Sequence, residues 1–328
     1  MKRLIFLLVL AAIACIGYVL MVPAGPTTET FVEIVPGTTT MQIAAQLKHQ
    51  GLIRSKYAFE VERLARGGTL KAGEYRFDHP APMSEVYARI ERGDVYTIPV
   101  TIPEGSNLFD IAQRVESANL GTKENFLAAA QADIGLIADL DPGATSLEGY
   151  LFPDTYQFER HASPQEILTA MVKRFRQAAA GLGLRGNYHH VVTLASLVER
   201  ETPVDSERPL VASVFENRLA KDMPLATDPS VIYAALIDGR YRGTIYVSDL
   251  QADSPYNTYR YPGLPPGPIC NPGMASLKAA MKPARTDYLY FVAASADPSG
   301  KSRFSATLEE HEHNVQQYRR SLREAGSR

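Results

Sequence analysis

The sequence predicts an α+β protein: an N-terminal membrane-spanning helix, a small α/β arm, and a mixed α+β domain. Three observations predict it. Leu4 to Val22 runs without a charge behind Lys2 and Arg3, strand–turn–helix openings recur near Ile34 and Ile102, and a helical run from Thr193 ends in Glu199-Arg200-Glu201 before Pro203.

The apolar run is about as long as the ~20-residue helix that spans a bilayer. Secretory signals have shorter apolar regions, of ~7–15 residues, and a small-x-small cleavage site, which Val22-Pro23-Ala24-Gly25-Pro26 scarcely offers. A retained signal anchor over residues 1–22 is therefore expected. Lys2 and Arg3 put the N-terminus in the cytoplasm by the positive-inside rule, and everything after the single pass outside the inner membrane. Ala12-Ile13-Ala14-Cys15 is a poor lipoprotein signal, because the apolar run continues past it. Cys15 and Cys270 are the two cysteines of the chain, and one lies inside the span, so no disulfide joins them. With 328 residues, 45% of them hydrophobic, the chain has room for two or three domains. A net charge of -2 provides no basic field for phosphate backbones, which sets nucleic-acid binding aside.

Residues 23–30 read as a Pro/Gly/Thr linker. The arm, 31–140, holds two quasi-repeats: Ile34-Val35-Pro36-Gly37-Thr38 leads into Ile43-Ala44 as Thr101-Ile102-Pro103-Glu104-Gly105-Ser106 leads into Ile111-Ala112. Each copy predicts a strand, a capped turn and two helices, the second near Lys56 to Ala65 and Lys123 to Ala130. Between them Leu70 to Phe77 alternates as a strand, and Met83 to Arg92 reads as a helix ending near Gly93. These β-α-α units resemble LysM modules, which bind the glycan of peptidoglycan or chitin.

A second domain is expected over 146–328. Its first block, Ser146 to Tyr156, mixes aromatics, glycine and carboxylates, a composition suited to a cleft wall on which sugars stack. Ser163 caps a helix that runs to Ala180. In the helix around Glu199, Val191, Leu194, Ala195 and Val198 fall on one stripe, and Glu199 and Glu201 lie on its two edges. A carboxylate half covered by apolar neighbours at a helix C-terminus is hard to ionise, as a general acid at neutral pH must be. The face argument does not choose between the two. Asp205 or Ser206 then caps a helix carrying Asn217 and Arg218, Asp228 caps another with Pro229 in its first turn, and a long Tyr/Asn/Pro loop runs from Ser254 to Gly273. Tyr288 to Ala293 reads as a buried strand, Asp297-Pro298-Ser299-Gly300 as a hairpin turn, and Leu308 to Ala325 as a closing helix.

Metal chemistry is not expected, because neither His189-His190 nor His311-Glu312-His313 puts two histidines on one helical face. No Gly-x-Ser-x-Gly elbow offers a serine nucleophile, and Ser196 sits inside a helix. What remains is a carboxylic acid beside an aromatic, Asn-rich loop, an inventory that fits cleavage of a glycosidic bond.

Six motifs carry a resemblance: Leu147-Glu148-Gly149-Tyr150-Leu151-Phe152-Pro153-Asp154, Ala195-Ser196-Leu197-Val198-Glu199-Arg200-Glu201-Thr202, Phe215-Glu216-Asn217-Arg218-Leu219, Thr227-Asp228-Pro229-Ser230, Tyr256-Asn257-Thr258-Tyr259 and Gly263-Leu264-Pro265-Pro266-Gly267. In this order, and over nearly the whole chain, they resemble the endolytic murein transglycosylases, the YceG-like family. The resemblance implies that Glu199 is the single acid/base. It implies cleavage of the MurNAc-GlcNAc bond of nascent strands by intramolecular transfer to a 1,6-anhydro end, which terminates glycan elongation. Glu148, Tyr150, Asn217, Asp228, Tyr256 and Asn257 are the expected sugar contacts, with Ser196 and Glu201 behind the acid and no cofactor. Expected partners are glycan strands, the membrane and cell-wall synthases. Ala226 departs from the family's usual glutamine before Thr-Asp-Pro, and Cys270 takes a small-residue position. Two other readings fit the same residues. One is a non-catalytic peptidoglycan-binding anchor. The other is a lysozyme-like hydrolase in which Glu148, Glu201 or Asp228 supplies a second carboxylate.

Overall fold

The computed structural model describes residues 2–297 and 300–326. The Cys15 side chain and the Pro298-Ser299 tip of the expected hairpin lie outside them. The chain forms two compact units, Met1–Ile98 with Gln157–His161, and Pro99–Tyr156 with Ala162–Arg328. This division falls earlier than the expected boundary at 140–146, because the second quasi-repeat packs with the larger unit.

In the smaller unit, α1 (Lys2–Met21) takes up the apolar run as one helix. Among the described residues, however, no helix is long and apolar enough to cross a membrane. β1 (Thr30–Ile34) follows, then α2 (Thr40–His49) and α3 (Lys56–Arg66). β2 (Gly73–Phe77) pairs antiparallel with β1, setting Val32 opposite Tyr75, and α4 (Met83–Arg92) stops at Gly93 in the left-handed conformation. Val32, Ile43, Leu47, Phe59, Tyr75 and Tyr87 fill the core between them.

β3 (Ile98–Thr101) opens the second quasi-repeat and pairs with β4 (Thr155–Phe158). α5 (Leu108–Ser117) and α6 (Lys123–Ala132) complete the repeat. The likeness of the two copies extends to their caps: Thr39 with Gln42 closes a capping box on α2, and Asn107 with Asp110 closes one on α5.

The larger unit continues with α7 (Pro164–Leu182), capped by Ser163 as expected, α8 (Tyr188–Glu201), α9 (Arg208–Leu219) and α10 (Asp228–Ile237). Then come α11 (Val247–Leu250), α12 (Met274–Met281), the antiparallel pair β5 (Tyr290–Ala293) and β6 (Ser302–Ser305), and α13 (Leu308–Gly326). β5 is half-buried rather than buried.

α8 is the axis of this unit. Every residue from Val191 to Val198 is buried, more than the single stripe read from the sequence, because α9, α10 and α12 all pack against it. Two expected caps differ. α9 starts at Arg208 without a side-chain cap, and Asp205 pairs with the Arg208 guanidinium instead (3.3 Å). Asp228 is the first helical residue of α10, after Thr227, which leaves its carboxylate to face elsewhere.

Candidate active site

The last turn of α8 aims its two carboxylates in opposite directions. At about 100° per residue, side chains two positions apart diverge by about 200°, so Glu199 and Glu201 cannot serve one pocket.

Glu199 is held on a guanidinium. Arg208 reaches both of its carboxylate oxygens, at 3.3 and 3.2 Å, and the Gly273 N–H donates to Oε2 at 2.9 Å. The Arg208 and Glu199 side chains are only 7% and 5% exposed, and Arg208 also donates to Ser276 Oγ, so the pair ties α8, α9 and the start of α12 together. Glu104 lies against the same corner, so close that a Cβ on Gly273 would stand 1.8 Å from Glu104 Oε1. Burial and the nearby Glu199 charge push the Glu104 carboxyl upward. Glu199 is thus covered more fully than its place on the edge of the stripe predicts, and it carries in addition an ion pair with Arg208 that the sequence did not announce. Glu199→Gln should cost about 1–2 kcal/mol of stability through the loss of charge-assisted bonds. Chemical denaturation of the two proteins measures it.

Glu201 faces a cavity of about 280 Å³, shared with Phe215, Arg218, Asp228, Tyr259 and His311. Burial pushes its carboxyl up to about 7, with the Asp228 charge adding and Arg218 opposing. Among the described residues its oxygens have no hydrogen-bond or ion-pair partner, whereas Asp228 accepts from the Tyr259 hydroxyl at 2.7 Å. Arg218 is locked in place, its Nε donating to Leu289 O and Nη1 to Leu225 O. Apolar rings with a few fixed polar groups and one proton-holding carboxyl form a setting for a sugar and an acid. Ala226 lines the same cavity with a φ of 52°, a left-handed backbone that a side chain adopts at a cost.

The remaining expected contacts lie elsewhere. Glu148, 1% exposed, accepts from the Leu108 N–H, the Tyr233 hydroxyl and the Asn271 amide, which makes it the buried anchor of the α5 N-terminus. Tyr150 is fully buried with its hydroxyl on Asp141 (2.7 Å), and Phe152 beside it is buried too. The block read as a cleft wall is thus core. The cause is Gly149, whose φ of 87° and lack of a Cβ let Pro268 and Val192 close on the backbone. Asn217 donates to Thr286 O and Tyr288 O, fastening α9 to the approach of β5. Asn257 is fully buried and shapes its loop through Leu250 O and Ala252 O, while Tyr256 packs edge-on to Tyr233. Ser196 accepts from the Ile269 N–H (3.0 Å), with Cys270 buried beside it, holding the Pro-rich loop on α8.

Of the expected residues, then, the cavity brings together Glu201 and Asp228. Sequence reasoning missed Phe215, Arg218, Tyr259 and His311. The first three stand inside motifs already singled out, and a helical-wheel comparison of α8 with α9 would have raised Phe215 and Arg218. His311 carried only a metal reading, and no group of residues suited to hold a metal occurs among the described residues.

The profile of the YceG-like family matches residues 32–317. An endolytic murein transglycosylase of Bacillus subtilis strain 168 is 34% identical over 92% of this chain and 89% of its own length. An enzyme of the same name from Streptococcus pneumoniae D39 is 31% identical over 96% of this chain and 64% of its own length. The crystal structure of a YceG-like protein from Listeria monocytogenes superposes with a TM-score of 0.56 at 33% identity, covering 88% of this chain and 99% of that one.

Proposed function

The chain belongs to the YceG-like family, and from that premise we propose that it is an endolytic lytic transglycosylase acting on peptidoglycan, with Glu201 as its acid. The observation that carries the residue assignment is the environment of Glu201. It is the carboxyl in the cavity that keeps its proton up to about pH 7 and has no protein partner among the described residues. Glu199, favoured by motif position, is engaged by Arg208.

In this mechanism Glu201 donates its proton to the glycosidic oxygen between N-acetylmuramic acid and N-acetylglucosamine as the bond to the anomeric carbon breaks. The resulting carboxylate then takes the proton of the muramyl 6-hydroxyl, whose oxygen closes onto that carbon. One C–O bond is lost and one formed, no water is consumed, and the acid is regenerated. Arg218 steadies the carboxylate between the two steps, and the Tyr259-bound Asp228 raises the cost of losing the proton too early.

Because the acid must start protonated, kcat/KM should fall as pH rises through about 7, and a rate profile from pH 5 to 9 on isolated sacculi reads it directly. A limb displaced to pH 4–5 would contradict the assignment. Asp228 in the same cavity favours a second reading, a hydrolase that uses it as the other carboxylate. Mass spectrometry of the released fragments separates the two, since reducing ends in place of 1,6-anhydro ends would overturn the transglycosylase. The reading also takes α1 as the anchor in the inner membrane, its N-terminus cytoplasmic, with the two quasi-repeats as a LysM-like arm beside nascent strands and their synthases. The charge-free run from Leu4 to Val22 supports it.

A further inference from the structure

His311 belongs to neither the motifs nor the acid chemistry described so far, yet it lines the cavity that Glu201 faces. It arrives from α13, the far end of the unit in sequence. Its ring lies on Tyr290, 5.1 Å between centroids and 21° between planes, so its orientation is fixed by stacking. Neither ring nitrogen has a hydrogen bond among the described residues, and Nδ1 is sealed from solvent without a partner. An imidazole held this way has one nitrogen, Nε2, left for a ligand. Burial and the Arg218 charge push it below its ordinary value of 6.5, against an opposing pull from Glu312, so the ring is neutral at neutral pH. A neutral ring beside Glu201, Asp228 and the Tyr259 hydroxyl suits an uncharged hydroxyl or amide better than an anion.

The geometry points to His311 as a substrate-contacting residue, its Nε2 hydrogen-bonded to a polar group of the sugar that Glu201 protonates. This rests on the proposed function, since it takes the Glu201 cavity as the glycan site. The contact fixes how the ring is turned toward the acid and draws α13 into a site whose other walls come from α8, α9, the start of α10, β5 and the loop that carries Tyr259.

Two variants separate this role from a packing role. His311→Phe keeps the flat ring on Tyr290 and removes both nitrogens, whereas His311→Gln keeps a polar end and gives up the stack. Both are made in the full chain, alone and on a Glu201→Gln background, and soluble uncrosslinked glycan strands are the probe. His311→Phe on Glu201→Gln should bind those strands roughly tenfold more weakly than Glu201→Gln alone, the size of one lost hydrogen bond. With Glu201 intact, His311→Phe should lower kcat/KM by at least that factor, and His311→Gln should recover part of it. Unchanged glycan affinity in His311→Phe, with Glu201→Gln inactive, overturns the contact and leaves the acid assignment standing. Undiminished turnover by Glu201→Gln itself overturns the assignment instead. A packing role predicts the reverse order, with Phe tolerated and Gln impaired, and that order too would sink the contact.

Discussion

Replacing Glu201 with glutamine should lower the yield of 1,6-anhydro ends from purified sacculi by about 10²- to 10⁴-fold, the contribution of a positioned general acid, while glycan strands still bind. Glutamine has nearly the same volume and fills the cavity edge beside Phe215 and Tyr259. It cannot donate the proton that burial keeps on Glu201, and it cannot take the proton of the attacking hydroxyl. The comparison with Glu199→Gln gives the experiment its force. That change weakens the bonds to Arg208 and Gly273 and lowers the melting temperature, and once folded the protein should keep most of its turnover. If Glu199→Gln were inert at a temperature where it is fully folded, and Glu201→Gln active, the acid would be Glu199 after all.

The largest effect on stability is expected at Glu148. Truncation to alanine strands three donors in the core, the Leu108 N–H, the Tyr233 hydroxyl and the Asn271 amide, and leaves space that water cannot usefully fill. At about 1–3 kcal/mol for each buried group left unsatisfied, the three together come to roughly 3–9 kcal/mol, enough to empty the folded state of a marginal domain. Thermal unfolding followed by circular dichroism tests it, and a shift of only one or two degrees would refute the anchoring role. Glu148 also sets a pH signature. Burial pushes its carboxyl up to about 8, although the bonds from the Leu108 N–H and the Tyr233 hydroxyl pull the other way. A carboxyl raised in the folded state binds its proton there and not in the unfolded chain, so stability is greatest below about pH 4.5 for this group and declines as pH rises towards 8. Glu201 adds to the same slope up to about 7.

Much of this was legible in the sequence because it rests on local rules. Caps, the left-handed stop at Gly93 and the repeat of the β-α-α unit each follow from a few adjacent residues. The site proved harder because its selection is three-dimensional. Composition cannot tell Tyr150, buried by the close approach at Gly149, from Tyr259, which borders the cavity. Nor can it find Arg208, nine residues beyond Glu199 and on another helix, which decides which carboxylate is tied up. Ser196, expected behind the acid, instead holds the Pro-rich loop through Ile269, a partner that no helical wheel contains.

The cavity draws one wall from α8 and another from α13, with every element from α9 to β6 between them in sequence. Closing so long a loop is a late event in folding, rewarded only after the intervening helices have condensed. A chain still waiting for α13 to dock holds its acid but lacks the surface that would orient a sugar beside it. With Glu201 as the acid and His311 as the sugar contact, as proposed above, cutting power would arrive with completion of the fold rather than with synthesis of the acid, a built-in delay for an enzyme that cuts the wall its own cell depends on.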